Sequence, residues 1–164
     1  MLYENYILNN KTSFIAKLNE ISFKLRAKAD DLMTVFYAES RVNPQARNPK
    51  TRATGLIQFM PSTAIGLNTT VDKLYLMSNV EQLDYVYKYL KPFTGKLNNI
   101  YDLYLCVFFP AALGKSDNWV LETSTLSAEL IAKSNPIIDI NKNNQITVGE
   151  FKQYVDTYLK KKTC

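Results

Sequence analysis

A mainly helical, single-domain protein is what this sequence predicts, and three observations lead there. Apolar residues recur at three- and four-residue spacing through most of the 164 residues. Helix-start signals, acidic first turns and Ser-x-x-Glu spacings, precede several of those stretches. Five glycines and six prolines are too few for a disordered or fibrous chain. No internal repeat, low-complexity tract or long linker divides the sequence, so residues 1–164 read as one domain, long enough to bury roughly 70% of its unfolded surface.

Taken in order, Phe14, Ile15, Leu18, Ile21 and Leu25 mark one face of a helix across 12–28. Asp30 and Asp31 open a second helix through Leu32, Val35, Phe36 and Glu39, and Asn43-Pro44 ends it. Residues 43–54 are polar, basic and turn-rich. The run Gly55-Leu56-Ile57-Gln58-Phe59 reads either as a small hairpin strand or as a segment crossing the interior. Pro61 to Leu67 forms a short helix, with proline where its missing N–H costs little. Ser78 and Glu81 have capping-box spacing ahead of a helix reaching about Lys91. Ile100 to Phe109 is apolar nearly all round, as in a central buried helix, and Pro110 limits it. A weaker helix covers Leu126 to Ser134, and the last runs from about Val148 to Lys162.

Composition excludes several chemistries. The chain has no histidine, which removes Ser-His-Asp and Cys-His catalysis and any imidazole metal site. Proton transfer therefore falls to Asp, Glu, Tyr, Lys or Cys. Cys106, in an apolar run, and Cys164, at the end, make neither a zinc cluster nor a disulfide framework. The net charge of +5 suits an anionic polymer such as nucleic acid, an acidic membrane or a bacterial wall. The first twenty residues lack a basic cluster followed by an apolar core, so no signal peptide is expected. No apolar run is long enough to predict a membrane span.

Glu39 is the residue that breaks the pattern. It lies three, four and seven positions after Phe36, Val35 and Leu32, on their apolar face. Burial there and the negative end of the helix dipole both favour the protonated carboxyl, as a general acid requires. The alternative is a rim glutamate whose stem packs while its head reaches water. From Ser40 to Val71 there is no Asp or Glu, whereas Arg41, Arg47, Lys50 and Arg52 are positive. A two-carboxylate glycosidase needs a second acid within about 5–9.5 Å, and only distant residues such as Asp84 or Asp102 offer one. A one-carboxylate mechanism is favoured, with the basic segment expected near the mouth of the site.

The segments Ala38-Glu39-Ser40-Arg41-Val42-Asn43-Pro44 and Ala53-Thr54-Gly55-Leu56-Ile57-Gln58-Phe59-Met60-Pro61-Ser62-Thr63-Ala64 closely resemble the lytic transglycosylases of the goose-type lysozyme superfamily. The overall pattern is most similar to small phage-encoded members. The resemblance implies a lysozyme-like helical fold, with a small loop or hairpin region after the catalytic helix. It also implies cleavage of the β-1,4 bond between N-acetylmuramic acid and N-acetylglucosamine in peptidoglycan, with 1,6-anhydro ends. Glu39 matches the catalytic acid, Ser40 the serine that holds it, and Gln58 a residue that hydrogen-bonds sugar. Gly55 lets backbone approach the glycan, or is an ordinary turn glycine. The family's Ala-Tyr-Asn-Ala-Gly is replaced by Phe108-Phe109-Pro110-Ala111-Ala112. Phe109 then stands as a cleft wall and Tyr101 or Tyr104 as a stacking ring or hydroxyl, core packing being the alternative for each. That departure leaves a hydrolysing muramidase as the second reading, and a catalytically silent wall-binding virion module as a third. The resemblance directs the positive charge to the wall rather than to nucleic acid. It implies no catalytic cofactor, and delivery by a phage particle or another export route.

Near the C-terminus, Asp139 to Glu150 has the spacing of a twelve-residue EF-hand loop. Side-chain oxygens stand at Asp139, Asn141, Asn143, Thr147 and Glu150, the Gln145 carbonyl takes position 7, and Asn144 replaces the usual glycine. Only two ligands are charged, so calcium as a structural ion is expected to bind weakly, at about 10⁻⁴–10⁻³ M. A capping box between Thr147 and Glu150 accounts for the same residues without an ion.

Overall fold

A computed structural model describes residues 1–160. Among these residues the regular structure is eight α-helices, three short 3-10 turns and three isolated antiparallel bridges, with no strand. The helical expectation is met. Two compact units emerge, Met1–Leu103 and Tyr104–Cys164, and the division falls inside a helix.

In the first unit, α1 (Lys11–Leu25) and α2 (Ala29–Ser40) are followed by the short α3 (Pro61–Gly66) and α4 (Val71–Leu76), then by α5 (Asn79–Leu90). Phe14, Leu18, Ile21 and Leu25 of α1 are buried, and α1 packs on α5 and α2. The Phe14 and Phe36 rings meet edge to face at 6.4 Å. Each such side chain taken from water contributes about 1.5–3 kcal/mol. The expected end of α1 at residue 28 comes earlier, because Arg26 adopts a left-handed backbone (φ 55°) and its N–H closes on Phe23 O. Asp30 and Asp31 occupy the positive end of α2, as the sequence indicates. Residues Leu32 to Tyr37 are all buried, so α2 is a central helix rather than a two-faced one. It stops two residues before Asn43-Pro44, where Arg41 and Val42 turn left-handed and their N–H groups return to Tyr37 O and Phe36 O.

Between α2 and α3 the chain crosses the interior. A single bridge joins Thr54 to Phe59, and Leu56 and Ile57 are buried beneath it. α4 is absent from the sequence expectation. It spans only six residues, capped by Thr70 Oγ1 accepting from Lys73 N–H at 3.1 Å. The capping box expected before α5 is present: Ser78 Oγ accepts from Glu81 N–H, and Glu81 accepts from Ser78 N–H.

The boundary helix α6 (Ile100–Phe108) leads into the second unit, which contains α7 (Ala128–Ser134) and α8 (Val148–Tyr158). Phe108 and Phe151 stack at 5.1 Å, and Tyr104 meets Phe151 at 5.3 Å. Cys106 is buried, as expected. The last helix ends at Tyr158, short of Lys162; residues 161–164, Cys164 included, lie outside the described residues. No helix among the described residues is long and apolar enough to cross a membrane.

Candidate active site

Glu39 is the penultimate residue of α2 and is half-buried. Its helix is anchored on all sides by Leu32, Met33, Val35 and Phe36, none of them solvent-exposed, which gives the carboxyl a rigid base. Ser40 faces inward. Its Oγ lies 3.0 Å from Phe36 O and 3.0 Å from Leu56 O. One hydroxyl proton serves these two acceptors, and the second of them ties the end of α2 to the interior segment carrying Gly55 and Gln58. Ser40, next to Glu39 in the chain, is thus joined directly to the turn that carries Gly55 and Gln58.

Gln58 holds a positive φ of 53°, costly for a residue with a side chain. Its Nε2 donates to Ala46 O at 3.1 Å and Gly55 O at 3.2 Å, which fixes the amide across the turn. At Gly55 (φ 88°) a Cβ would overlap Oε1 of Gln82. Glycine is therefore required there by an approach from within the chain. Gln82, missed in the sequence, is completely buried on α5. Its Oε1 accepts from Leu56 N–H at 2.9 Å, and its Nε2 donates to Pro44 O at 2.7 Å and Leu74 O at 2.8 Å. One side chain thereby joins the segment after α2, the Gly55 turn and the end of α4. A polar residue four positions before Val86, on the buried face of α5, was the available signal.

Two of the cations in the basic segment are paired within the fold. Arg47 donates to Asp72 at 3.0 Å, Val71 O at 2.8 Å and Thr54 Oγ1 at 3.0 Å, and Arg52 also reaches Asp72, at 2.7 Å. Two of its charges thus clamp the loop onto α4. Asp84 pairs with Lys17 at 2.6 Å, and Asp102 accepts from Asn98 N–H beside the start of α6.

Tyr104 and Phe109 belong to the second unit and are 5% and 7% exposed. Tyr104 packs against Phe108 and Phe151, and Phe109 lies 6.3 Å from Trp119. Both rings form core contacts there.

The 139–150 loop also lies in the second unit. Asp139 and Glu150 are buried, while Asn141, Asn143 and Gln145 are exposed. The Asp139 carboxylate accepts from Asn143 N–H at 3.2 Å and Asn144 N–H at 3.1 Å, curling the loop around it. Glu150 accepts from Thr147 N–H at 2.9 Å and completes the capping box. Ile146 O accepts from Leu121 N–H, so residues 119–121 run alongside as a partner segment. No group of three or more His, Cys, Asp or Glu side chains suited to a metal occurs among the described residues.

The mainly helical fold, with Glu39 at the end of a buried helix and Ser40 bonded to the turn that carries Gln58, is consistent with a lysozyme-like domain. A family model for the transglycosylase SLT domain matches residues 18–130, and the chain belongs to that family. Membership makes peptidoglycan its substrate class. No curated protein and no solved structure gave a match.

Proposed function

We propose that the chain is a lytic transglycosylase that cleaves the β-1,4 bond after N-acetylmuramic acid, with Glu39 as its single acid and base. Protonated Glu39 gives its proton to the glycosidic oxygen as the C1–O bond breaks. The resulting carboxylate takes the proton of the sugar's own 6-hydroxyl while O6 bonds to C1. Glu39 is restored, no water is consumed, and a 1,6-anhydro end remains. The observation carrying this reading is the placement of the carboxylates. Glu39 stands half-buried at the end of α2, whereas Asp72 and Asp84 are exposed on the surface. Ser40 positions α2 against the Gln58 turn, and Gln58 presents its amide oxygen to sugar. Clearing of purified peptidoglycan in a gel, lost in Glu39→Gln, tests the reading. A hydrolysing muramidase is the second reading, favoured by Phe109-Pro110 standing where the family's Tyr-Asn pair is expected.

Gln58→Ala removes the amide that spans Ala46 O and Gly55 O and one hydrogen bond to sugar. The expected loss in kcat/KM corresponds to about 0.5–1.5 kcal/mol, a few-fold to roughly tenfold, with the fold intact. Unchanged steady-state kinetics would return Gln58 to a purely structural role.

For the 139–150 loop we propose weak calcium binding that serves stability rather than chemistry. Asp139 and Glu150 supply the charge, with Asn141, Asn143 and the Gln145 carbonyl completing an oxygen set of the kind calcium takes. With calcium at about ten times its dissociation constant the gain is about 1.4 kcal/mol. That corresponds to a rise in Tm of roughly 3–6 °C for a domain of this size, which Asp139→Ala abolishes. Calorimetry showing neither heat of binding nor a shift would leave the capping box as the whole account.

A further inference from the structure

In the first unit α1 and α5 lie side by side and run in the same direction. Asn10 Nδ2 donates to Asn79 Oδ1 at 3.3 Å, Lys17 pairs with Asp84 at 2.6 Å, and Lys24 Nζ sits 5.8 Å from the centre of the Tyr87 ring. Beyond both helices the Gly95 N–H donates to Leu25 O, so the two C-terminal ends share one corner. Around that corner stand Arg26, Lys28, Lys88, Lys91 and Lys96, all exposed. Asp84, Lys88 and Lys91 follow at four- and three-residue spacing, which keeps both lysines on the side of α5 that flanks α1.

Acidic side chains do not cancel this charge. Glu20 pairs with Lys24 and Asp84 with Lys17, while Asp30 and Asp31 border the group in the first turn of α2 and leave the five cations in excess. Helix dipoles account for only part of it. Lys88, in the last turn of α5, suits that helix's negative end, but Lys28 stands at the positive end of α2, where a cation is unfavourable. Phe23, in the last turn of α1 beside Lys24, is 86% exposed. An open apolar ring among lysines fits a bilayer surface, whose anionic headgroups attract the charge and whose acyl boundary takes the ring. Four of the five cations are lysines, which act as point charges on a diffuse surface, whereas phosphates read one at a time favour arginine forks. A single-stranded nucleic acid asks for successive open ring faces. Here Tyr85, Tyr87 and Phe93 are half-buried, and Phe23 alone stands fully open.

Lys28 precedes the first turn of α2 and Glu39 lies near its other end, about 16 Å away along the helix axis. We propose that this corner docks the chain on an anionic lipid surface, with Phe23 entering the headgroup boundary and the five cations facing lipid phosphates. Attachment of this kind is peripheral, leaves Glu39 clear of the bilayer, and holds whatever Glu39 cleaves.

The test is co-sedimentation of the full chain with vesicles of phosphatidylglycerol and phosphatidylcholine in equal parts, at about 0.1 M salt. The bound fraction should rise with lipid and saturate, fall away above about 0.5 M salt, and be absent with phosphatidylcholine alone. Each cation at such a surface is worth about fivefold in partitioning, so Lys91→Glu with Lys96→Glu should weaken binding at least about tenfold. Phe23→Ser changes no charge and disturbs no buried contact, and should weaken it at least about fivefold. Lys50→Glu with Lys73→Glu serves as the control for net charge. Both are exposed and flank the clamp of Arg47 and Arg52 on Asp72, so binding should stay within about threefold. No sedimentation with the anionic vesicles would overturn the proposal, as would binding indifferent to Phe23→Ser or weakened equally by the control pair. Tighter binding to soluble polyphosphate, unaffected by Phe23→Ser, would overturn it in favour of a site for anionic polymers.

Discussion

Glu39→Gln lowers turnover on peptidoglycan by at least about 10²–10⁴-fold, the range expected when a positioned acid is removed. The amide keeps the size and hydrogen-bonding reach of the carboxyl but has no proton to give to the glycosidic oxygen. Because Glu39 is half-buried at the end of a helix whose core contacts come from Leu32 to Tyr37, the substitution leaves the packing of α2 untouched. Binding to glycan and thermal stability should therefore both survive. Near-normal clearing by a folded Glu39→Gln variant would mean that another group protonates the leaving oxygen.

Gln82→Leu has the largest expected effect on stability. The substitution leaves the buried Leu56 N–H and the half-buried Pro44 O without the partner they have now, and removes one of two partners from Leu74 O. Each buried polar group stripped of its hydrogen bond costs about 1–3 kcal/mol, so a total on the order of 2–5 kcal/mol is expected in urea unfolding. Since those same bonds position the Gly55 turn, kcat per folded molecule should fall as well. Gln82→Glu, which retains the acceptor for Leu56 N–H, should recover part of the activity. A change under about 0.5 kcal/mol would show that water or a shifted backbone replaces the amide.

Much of this architecture was legible in the chain because its signals are local. Asp30 and Asp31 opening α2, Ser78 and Glu81 capping α5, and Thr147 and Glu150 capping α8 act within a single turn of helix. The apolar face that singles out Glu39 is likewise a property of one helix. What escaped is non-local or unusually short. α4 is only six residues long, and its pair of buried residues, Val71 and Leu74, is too brief a periodicity to stand out. Arg26 ends α1 in a left-handed conformation with no glycine to mark it. The convergence of Arg47 and Arg52 on Asp72 depends on a pairing across twenty or more residues, so a segment that reads as free positive charge is in the fold a clamp. Gln82 shows the same limit. Its position on the buried face of α5 was visible, but its three backbone partners come from three separate parts of the chain.

The product of the reaction tests the central claim most directly. Purified peptidoglycan digested to completion by the chain, then analysed by mass spectrometry, is expected to release muropeptides ending in 1,6-anhydro-N-acetylmuramic acid, one water lighter than reducing ends. Glu39→Gln should release neither form. Products with reducing ends, formed with uptake of labelled oxygen from water, would contradict the single-glutamate account and identify a hydrolase.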